Sequence, residues 1–299
     1  MYKRQEQLIK YSIVLFFISL IALVLVPILG VEVKGSKRWI DLFFLPRFQP
    51  IEVLKPFLIV FLATILCTEK TNIMIKYILT TLTISIISLL LIVQPDIGQT
   101  FLIVFSWSVL IFTSGINIFI LLAFFCSAII LLAYLIIYVP KFDYIQGRIL
   151  SFFDRETGTH NFQSDKAIDS ITSGGFFGKG IGEGILKNRV PEAHTDYIIS
   201  VISEEFGVVA IMLILLLFLI FIYMVFKKIS FETDDKIKLI LIGSISLILM
   251  QATIHIGVNI RLFPTTGMTL PFLSYGGSSI ISTSILAGII LNLTKRKIN

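Results

Sequence analysis

The chain has 299 residues, is 56% hydrophobic and only 15% charged, carries 26 phenylalanines and a net charge of +6, and has a mean hydropathy of +0.93. Soluble domains average about half apolar and roughly a quarter charged, so a soluble enzyme or binding module is excluded and an integral membrane protein remains. The positive balance calls for no nucleic acid, because anionic headgroups beside basic loops account for it.

A helix needs about 20 apolar residues to cross a bilayer. Runs of that length, separated by charged or Pro/Gly-marked breaks, predict eight spans at about 8–30, 51–68, 73–93, 98–115, 117–139, 206–227, 238–259 and 271–293. The runs are continuous rather than alternating, which argues against strands. The expected fold class is an all-α polytopic membrane protein, one domain over 1–299, with a large extracytoplasmic loop at 140–205. The first span is too long for a removable signal peptide, lacks a small-residue cleavage site, and is expected to stay as an anchor. Basic residues set the orientation. Lys3, Arg4, Lys10, Lys70, Lys76, Lys227, Lys228, Lys236, Lys238, Lys295, Arg296 and Lys297 fall on one side, against Lys34, Lys37, Arg38, Arg47 and Arg261 in the short loops of the other. Both termini are therefore expected in the cytoplasm. Cys67 and Cys126 fall within predicted spans and suggest neither a disulfide framework nor a metal site. No cofactor is implied, and a divalent-cation requirement is not readable.

In chain order, the first outer loop reads Gly35-Ser-Lys-Arg-Trp-Ile-Asp-Leu42, and the next span opens Phe48-Gln-Pro-Ile-Glu-Val-Leu-Lys-Pro56. A helix starting near Pro50 puts Glu52 and Lys55 on one face. They read either as a helix-capping acid and a snorkelling lysine, with Trp39 as interface anchor, or as part of a basic pocket, Arg38 plus Lys55, for a phosphate-bearing headgroup. Gln94-Pro-Asp96 reads as an outer turn capping the following helix.

The segment 140–205 is too long for a mere connector. Its glycine-rich stretch, Gly174 to Gly184, follows no strand and lacks phosphate-loop spacing; it reads as flexible backbone suited to close approach, lying on the membrane. Next comes Pro191-Glu-Ala-His-Thr-Asp196. A helix starting there would align Asp196 with Ser200 and Ser203 on one face, beside a small polar groove. Asp196 is either a dipole-complementing acid at a helix start or the catalytic residue, and His194 either its proton partner or a hydrogen-bonding loop residue. Gln251, His255 and Asn259 recur every fourth residue as a polar stripe inside a span, pointing inward. Leu262 to Ser279, rich in Pro, Gly, Ser and Thr around Tyr275, predicts either a broken or re-entrant segment lining a cavity or close packing through small residues.

Together Lys34-Gly-Ser-Lys-Arg-Trp-Ile-Asp41, Phe48-Gln-Pro-Ile-Glu-Val-Leu-Lys55, Gln94-Pro-Asp-Ile-Gly98, Ser173-Gly-Gly-Phe-Phe-Gly-Lys-Gly180, Pro191-Glu-Ala-His-Thr-Asp196 and Pro264-Thr-Thr-Gly-Met-Thr-Leu-Pro-Phe-Leu-Ser-Tyr-Gly-Gly-Ser278 resemble the SEDS family of bacterial shape, elongation, division and sporulation proteins. The details look closest to its cell-division member. The resemblance implies a peptidoglycan glycosyltransferase that polymerises lipid II, a prenyl-diphosphate-linked disaccharide peptide, at the outer face of the plasma membrane, with a class B penicillin-binding transpeptidase and division proteins as partners. It matches Asp196 to the family's essential aspartate, Glu52 and Lys55 to its acidic and basic pair, and Arg38 to its loop arginine. The candidate set is Asp196 for catalysis, with Arg38, Glu52, Lys55, His194, Thr195, Gln251, Ser274, Tyr275, Gly276, Gly277 and Ser278 for substrate. The chain departs from the family at Ile51, Ser203 and His255, where Ser, Gly and Asn are usual. Members have ten spans, so the first two are expected to be missing ahead of Met1.

The expected mechanism has Asp196, its pKa raised by partial desolvation, take the proton of the acceptor 4-hydroxyl while Arg38 and Lys55 neutralise the departing diphosphate. A single displacement would invert the anomeric carbon. Two rivals use the same residues: a lipid II flippase whose path they line, and a non-catalytic scaffold for the transpeptidase.

Overall fold

A computed structural model of the chain describes residues 2–33, 36–42, 45–69, 71–139, 142–153 and 161–295. Lys34 and Gly35 of the first loop motif, and Lys70, Arg296 and Lys297 from the charge count, lie outside them.

The described residues form helices α1 (Tyr2–Leu29), α2 (Pro50–Leu66), α3 (Ile73–Val93), α4 (Ile97–Thr113), α5 (Ile118–Tyr138), α6 (Asp143–Phe153), α7 (Asn161–Gly174), α8 (Ile198–Phe231), α9 (Asp235–Asn259) and α10 (Gly277–Thr294). Six of them, α1, α3, α5, α8, α9 and α10, are long and apolar enough to cross a membrane, by length and composition. α2 and α4, also expected as spans, are 17 residues each, a little short of the usual crossing length.

The structure corrects the sequence reading in two places. The loop after α1 is a small antiparallel sheet, β1 (Val31–Val33), β2 (Ser36–Leu42) and β3 (Leu45–Phe48), in the order β1-β2-β3, so the chain is not wholly helical. Val31 pairs with Trp39 and Ile40 with Phe48, and each ladder carries an irregularity. The described residues of the long segment 140–205 include α6, α7 and a 3-10 turn at Leu186–Arg189. The last span begins at Gly277 rather than 271, and Leu262 to Gly276 holds no regular element, in keeping with the expected break.

The chain divides into two compact units. The first comprises 1–114, 220–251 and 275–299, and the second 115–219 and 252–274. In the first, α2 is central: thirteen of its residues are buried, Glu52 and Lys55 among them. Pro50 opens α2, where a missing N–H is harmless. α1 stacks Phe16 on Phe61 of α2, ring centroids 4.2 Å apart. Gly243 of α9 lets the helix close on Ile59 and Leu110; a Cβ there would lie 2.7 Å from the Ile59 side chain. Asn72 and Asp96 cap α3 and α4 by accepting the N–H groups of Met74 (3.0 Å) and Gln99 (3.3 Å).

In the second unit, Ile199 of α8, Ala252 of α9 and Leu270 form a buried cluster. α8 breaks at Gly207 (φ 76°, ψ −175°). A regular helix would bond the N–H groups of Val208 and Val209 to the carbonyls of Glu204 and Glu205. Here the 174–180 loop intervenes. Lys179 and Gly180 donate to Glu204 O (2.9 Å) and Glu205 O (3.0 Å), while Val208 and Val209 donate to Gly175 O (3.0 Å) and Phe176 O (3.3 Å). Two helical bonds are exchanged for four bonds to the loop. The approach requires glycine: a Cβ on Gly207 would lie 2.2 Å from Phe176 O, and one on Gly178 2.1 Å from Glu205 O.

Gly207→Ala is therefore expected to force the loop from α8. Left-handed strain and the backbone clash together should cost at least about 1–3 kcal/mol, read as a lower thermal midpoint of the purified protein and as new protease cleavage within 174–187. An unchanged midpoint and cleavage pattern would contradict the arrangement.

Candidate functional site

The Asp196 segment is built by one carbonyl. Glu192, at a left-handed φ of 55°, presents its C=O to the N–H groups of Thr195 (3.1 Å), Asp196 (3.0 Å) and Tyr197 (3.3 Å). α8 starts only at Ile198, so Asp196 lies in a turn before the helix and the expected shared face with Ser200 and Ser203 does not form. Ser200 instead donates to Tyr197 O and Ser203 to Ile171 O.

Two side chains clamp the turn from outside it. Ser274 Oγ donates to Thr195 O (2.7 Å) while accepting from Leu270 N (2.8 Å). Asn259 Nδ2 donates to Asp196 O (3.1 Å) and to His255 O (2.8 Å). Both clamps are buried, whereas Asp196 is half-buried and His194 exposed. Gly267, at φ 69°, faces the carboxylate, and a Cβ there would lie 3.5 Å from Asp196 Oδ2. Burial pushes the Tyr197 hydroxyl up to about 12, Asp196 adding to the effect and a hydrogen bond with Ser164 opposing it. It therefore stays neutral across the physiological range. His255 Nδ1 meets Met268 O at 2.7 Å; since a carbonyl can only accept, that nitrogen carries the proton.

A second polar cluster lies in the first unit. Glu52 Oε1 accepts from Lys55 Nζ (2.9 Å) and Gln99 Nε2 (2.6 Å), and Lys55 also donates to Gln251 (3.1 Å). Lys55 has no solvent exposure and Glu52 only 4%. Further out, Arg38 on β2 donates to the carbonyls of Gln94 (3.1 Å) and Pro95 and lies 3.9 Å from Asp96. Gln49 bridges to Asp96 Oδ2 (2.9 Å), and its N–H donates to Ser278 Oγ (2.9 Å). Burial pushes the Asp96 carboxyl up, against the pull of Arg38.

The expected phosphate pocket of Arg38 and Lys55 is not formed. Lys55 is closed off by Glu52 and Gln251, and Arg38 is held by the α3–α4 turn. Of the other expected substrate residues, Thr195 and Ser274 join Asp196, while Gln251, Gly276, Gly277 and Ser278 belong to the first unit with Tyr275, which is 78% exposed. Asn259, Gln49, Asp96 and Gln99 were not among the sequence candidates. Asn259 was signalled only by the every-fourth-residue stripe, all of which is buried. Among the described residues no three His, Cys, Asp or Glu side chains converge as metal ligands.

Removing Lys55 leaves a buried, uncompensated carboxylate. Lys55→Met should lower stability by about 3–5 kcal/mol, and Glu52→Gln/Lys55→Met should recover most of it. Unfolding in a denaturant series of the solubilised protein reads both, and equal losses for the single and double variants would contradict the pairing.

Comparison with known proteins fits these features. The chain is 33% identical over 285 residues to the probable peptidoglycan glycosyltransferase FtsW of Nitrosomonas europaea, covering 92% of this chain and 72% of that one. Its fold matches a chain from the structure of a peptidoglycan synthase complex that coordinates polymerization and crosslinking, with a TM-score of 0.80 at 27% identity over 97% of this chain and 82% of the other. It also matches the rod shape determining protein RodA of Thermus thermophilus, with a TM-score of 0.70 at 27% identity over 98% and 81%. The family model for FtsW, RodA and SpoVE, described as cell cycle protein, matches residues 2–299. The chain is a multi-pass membrane protein of the FtsW/RodA/SpoVE family, the SEDS proteins whose motifs it carries.

Proposed function

We propose that the protein is a peptidoglycan glycosyltransferase that polymerises lipid II at the outer face of the plasma membrane during cell division, with both termini cytoplasmic, at the septum. The observation that carries this reading is the Asp196 turn, a half-buried carboxylate whose backbone is fixed by Ser274 and Asn259 directly ahead of a membrane-crossing helix. A general base needs that placement, within reach of a hydroxyl and prevented from relaxing away from it. The names of the relatives support the same activity.

In this reading Asp196 takes the proton from the acceptor 4-hydroxyl as its oxygen attacks the anomeric carbon of the donor sugar. The glycosidic bond forms as the bond to the diphosphate breaks, in one displacement with inversion. Charge on the departing diphosphate is met by cationic side chains. Lys55 has no solvent access, so it is assigned instead the task of holding α2 to α9. No cofactor enters the scheme. A class B penicillin-binding transpeptidase is the proposed partner, in line with the related synthase complex.

The rival reading, transport of lipid II, drew on Glu52 and Lys55 as charges lining a path. Their closure from solvent removes that support. Vesicles holding the purified protein and its transpeptidase partner, given lipid II, should yield glycan polymer; movement of lipid II between leaflets without polymer would establish the transporter, and neither activity the scaffold. Asn259→Leu keeps the side-chain size but drops both clamping bonds, and should slow polymerisation on the order of tenfold to a hundredfold in a folded protein. A rate equal to the unaltered protein's would show that the turn holds itself.

A further inference from the structure

The loop threaded into the α8 break carries a group of largely exposed apolar side chains. Phe176 is 74% exposed, Phe177 84%, Ile181 78% and Ile185 66%. In water this surface would be a liability. Between Glu205 and Lys227 run 21 residues, Phe206 to Phe226, without a charged side chain. At about 1.5 Å per residue they span roughly 30 Å, the thickness of the hydrocarbon core. One edge of that core therefore falls at Lys227 and the other at Phe206–Val208, where the loop is bonded to α8.

The apolar surface is continuous across the junction. Phe206, Val208, Val209, Met212 and Leu213 are all exposed, and hardly any of the most apolar stretch of α8 is buried, 6% against 72% for α9. That is the face a helix turns to lipid. The polar groups of the loop fit the same boundary. Lys179 and Arg189 are exposed and cationic, suited to anionic headgroups. The acids beside them are paired: Glu205 with Lys187, and the buried Glu204 with Lys179 at 3.9 Å. Only Glu183 is an exposed acid in the loop.

We propose that the 174–187 loop is a membrane wedge, with Phe176, Phe177 and Ile181 inserted among the outer-leaflet lipids and Lys179 and Arg189 at the headgroups. Glu204 ties this wedge to the catalytic segment by accepting from Leu186 N (2.9 Å) and Lys187 N. Nine residues later the chain reaches Asp196, whose height above the bilayer the wedge then sets. The proposal does not depend on which reaction the protein performs.

Depth measurement tests it. In a Cys67→Ser/Cys126→Ala background, single cysteines Phe177→Cys, Ile181→Cys and Glu183→Cys are labelled with an environment-sensitive fluorophore, and each protein is reconstituted in mixed phosphatidylethanolamine and phosphatidylglycerol vesicles. Labels at 177 and 181 should emit blue-shifted, be quenched by acyl-chain spin-labelled lipid and resist iodide, while the label at 183 behaves the opposite way. Iodide quenching of 177 and 181 without lipid quenching would overturn the wedge in favour of an aqueous loop. Protection from both quenchers would overturn it in favour of a protein partner or a second copy. Should Phe177→Cys fail to fold, Ile181→Cys, at a largely exposed side chain, gives the same reading alone.

Discussion

The break in α8 is the constraint on which the outer part of the second unit depends. A polar backbone group in or beside lipid must find a partner, and a helix interrupted at Gly207 frees two carbonyls and two N–H groups at once. The 174–180 loop satisfies all four. Because the exchange is reciprocal, neither partner holds its conformation without the other: the helix needs the loop to complete its bonding, and the loop, with three glycines at positive φ, has little intrinsic preference for its path. Glu204 extends the joint. Its buried carboxylate accepts from Ser170, Leu186 and Lys187, tying α7 and the chain that follows to the same point.

From that joint to the candidate base the order is carried by hydrogen bonds to the main chain together with the burial of Val190 and Tyr197. Glu192 O gathers three N–H groups, and Ser274 and Asn259 hold the carbonyls of Thr195 and Asp196. The main chain of Asp196 is thus fixed beneath a half-buried carboxylate that Gly267 faces, and a positioned base requires such a fixed backbone. The first unit applies the same rule differently. Among its described residues the buried Glu52 and Lys55 pair within α2, Lys55 being closed by Glu52 and Gln251, and the buried Asp96 is held by Arg38 and Gln49, so there the polar network serves to order helices.

What the sequence made legible follows from local spacing. Glu52 and Lys55 three apart on a helix opened by Pro50 had to meet, and they do; the fourfold stripe at Gln251, His255 and Asn259 pointed inward, and all three are buried; the Pro and Gly content of 262–276 forecast a break, and α10 starts only at Gly277. What was hidden depends on partners distant in the chain. Nothing in the residues around Arg38 shows that the carbonyls of Gln94 and Pro95 will claim it. Asp196 looked like a helix start because polar residues before an apolar run usually are one, but the N–H groups of residues 195–197 converge on the single carbonyl of Glu192 in a turn that ends before α8 opens at Ile198. The sheet at 31–48 was missed because its strands are short and irregularly paired, leaving little alternation to read.

The central claim, that Asp196 acts on a proton and not merely in holding substrate, is tested most directly by measuring lipid II affinity and single-turnover polymerisation on the same Asp196→Asn protein. Replacing a carboxylate base with its uncharged isostere should leave binding within a fewfold of the unaltered protein and slow the chemical step by about 100- to 10,000-fold. A parallel loss in affinity that accounts for the whole loss in rate, or near-normal polymer formation, would contradict the account.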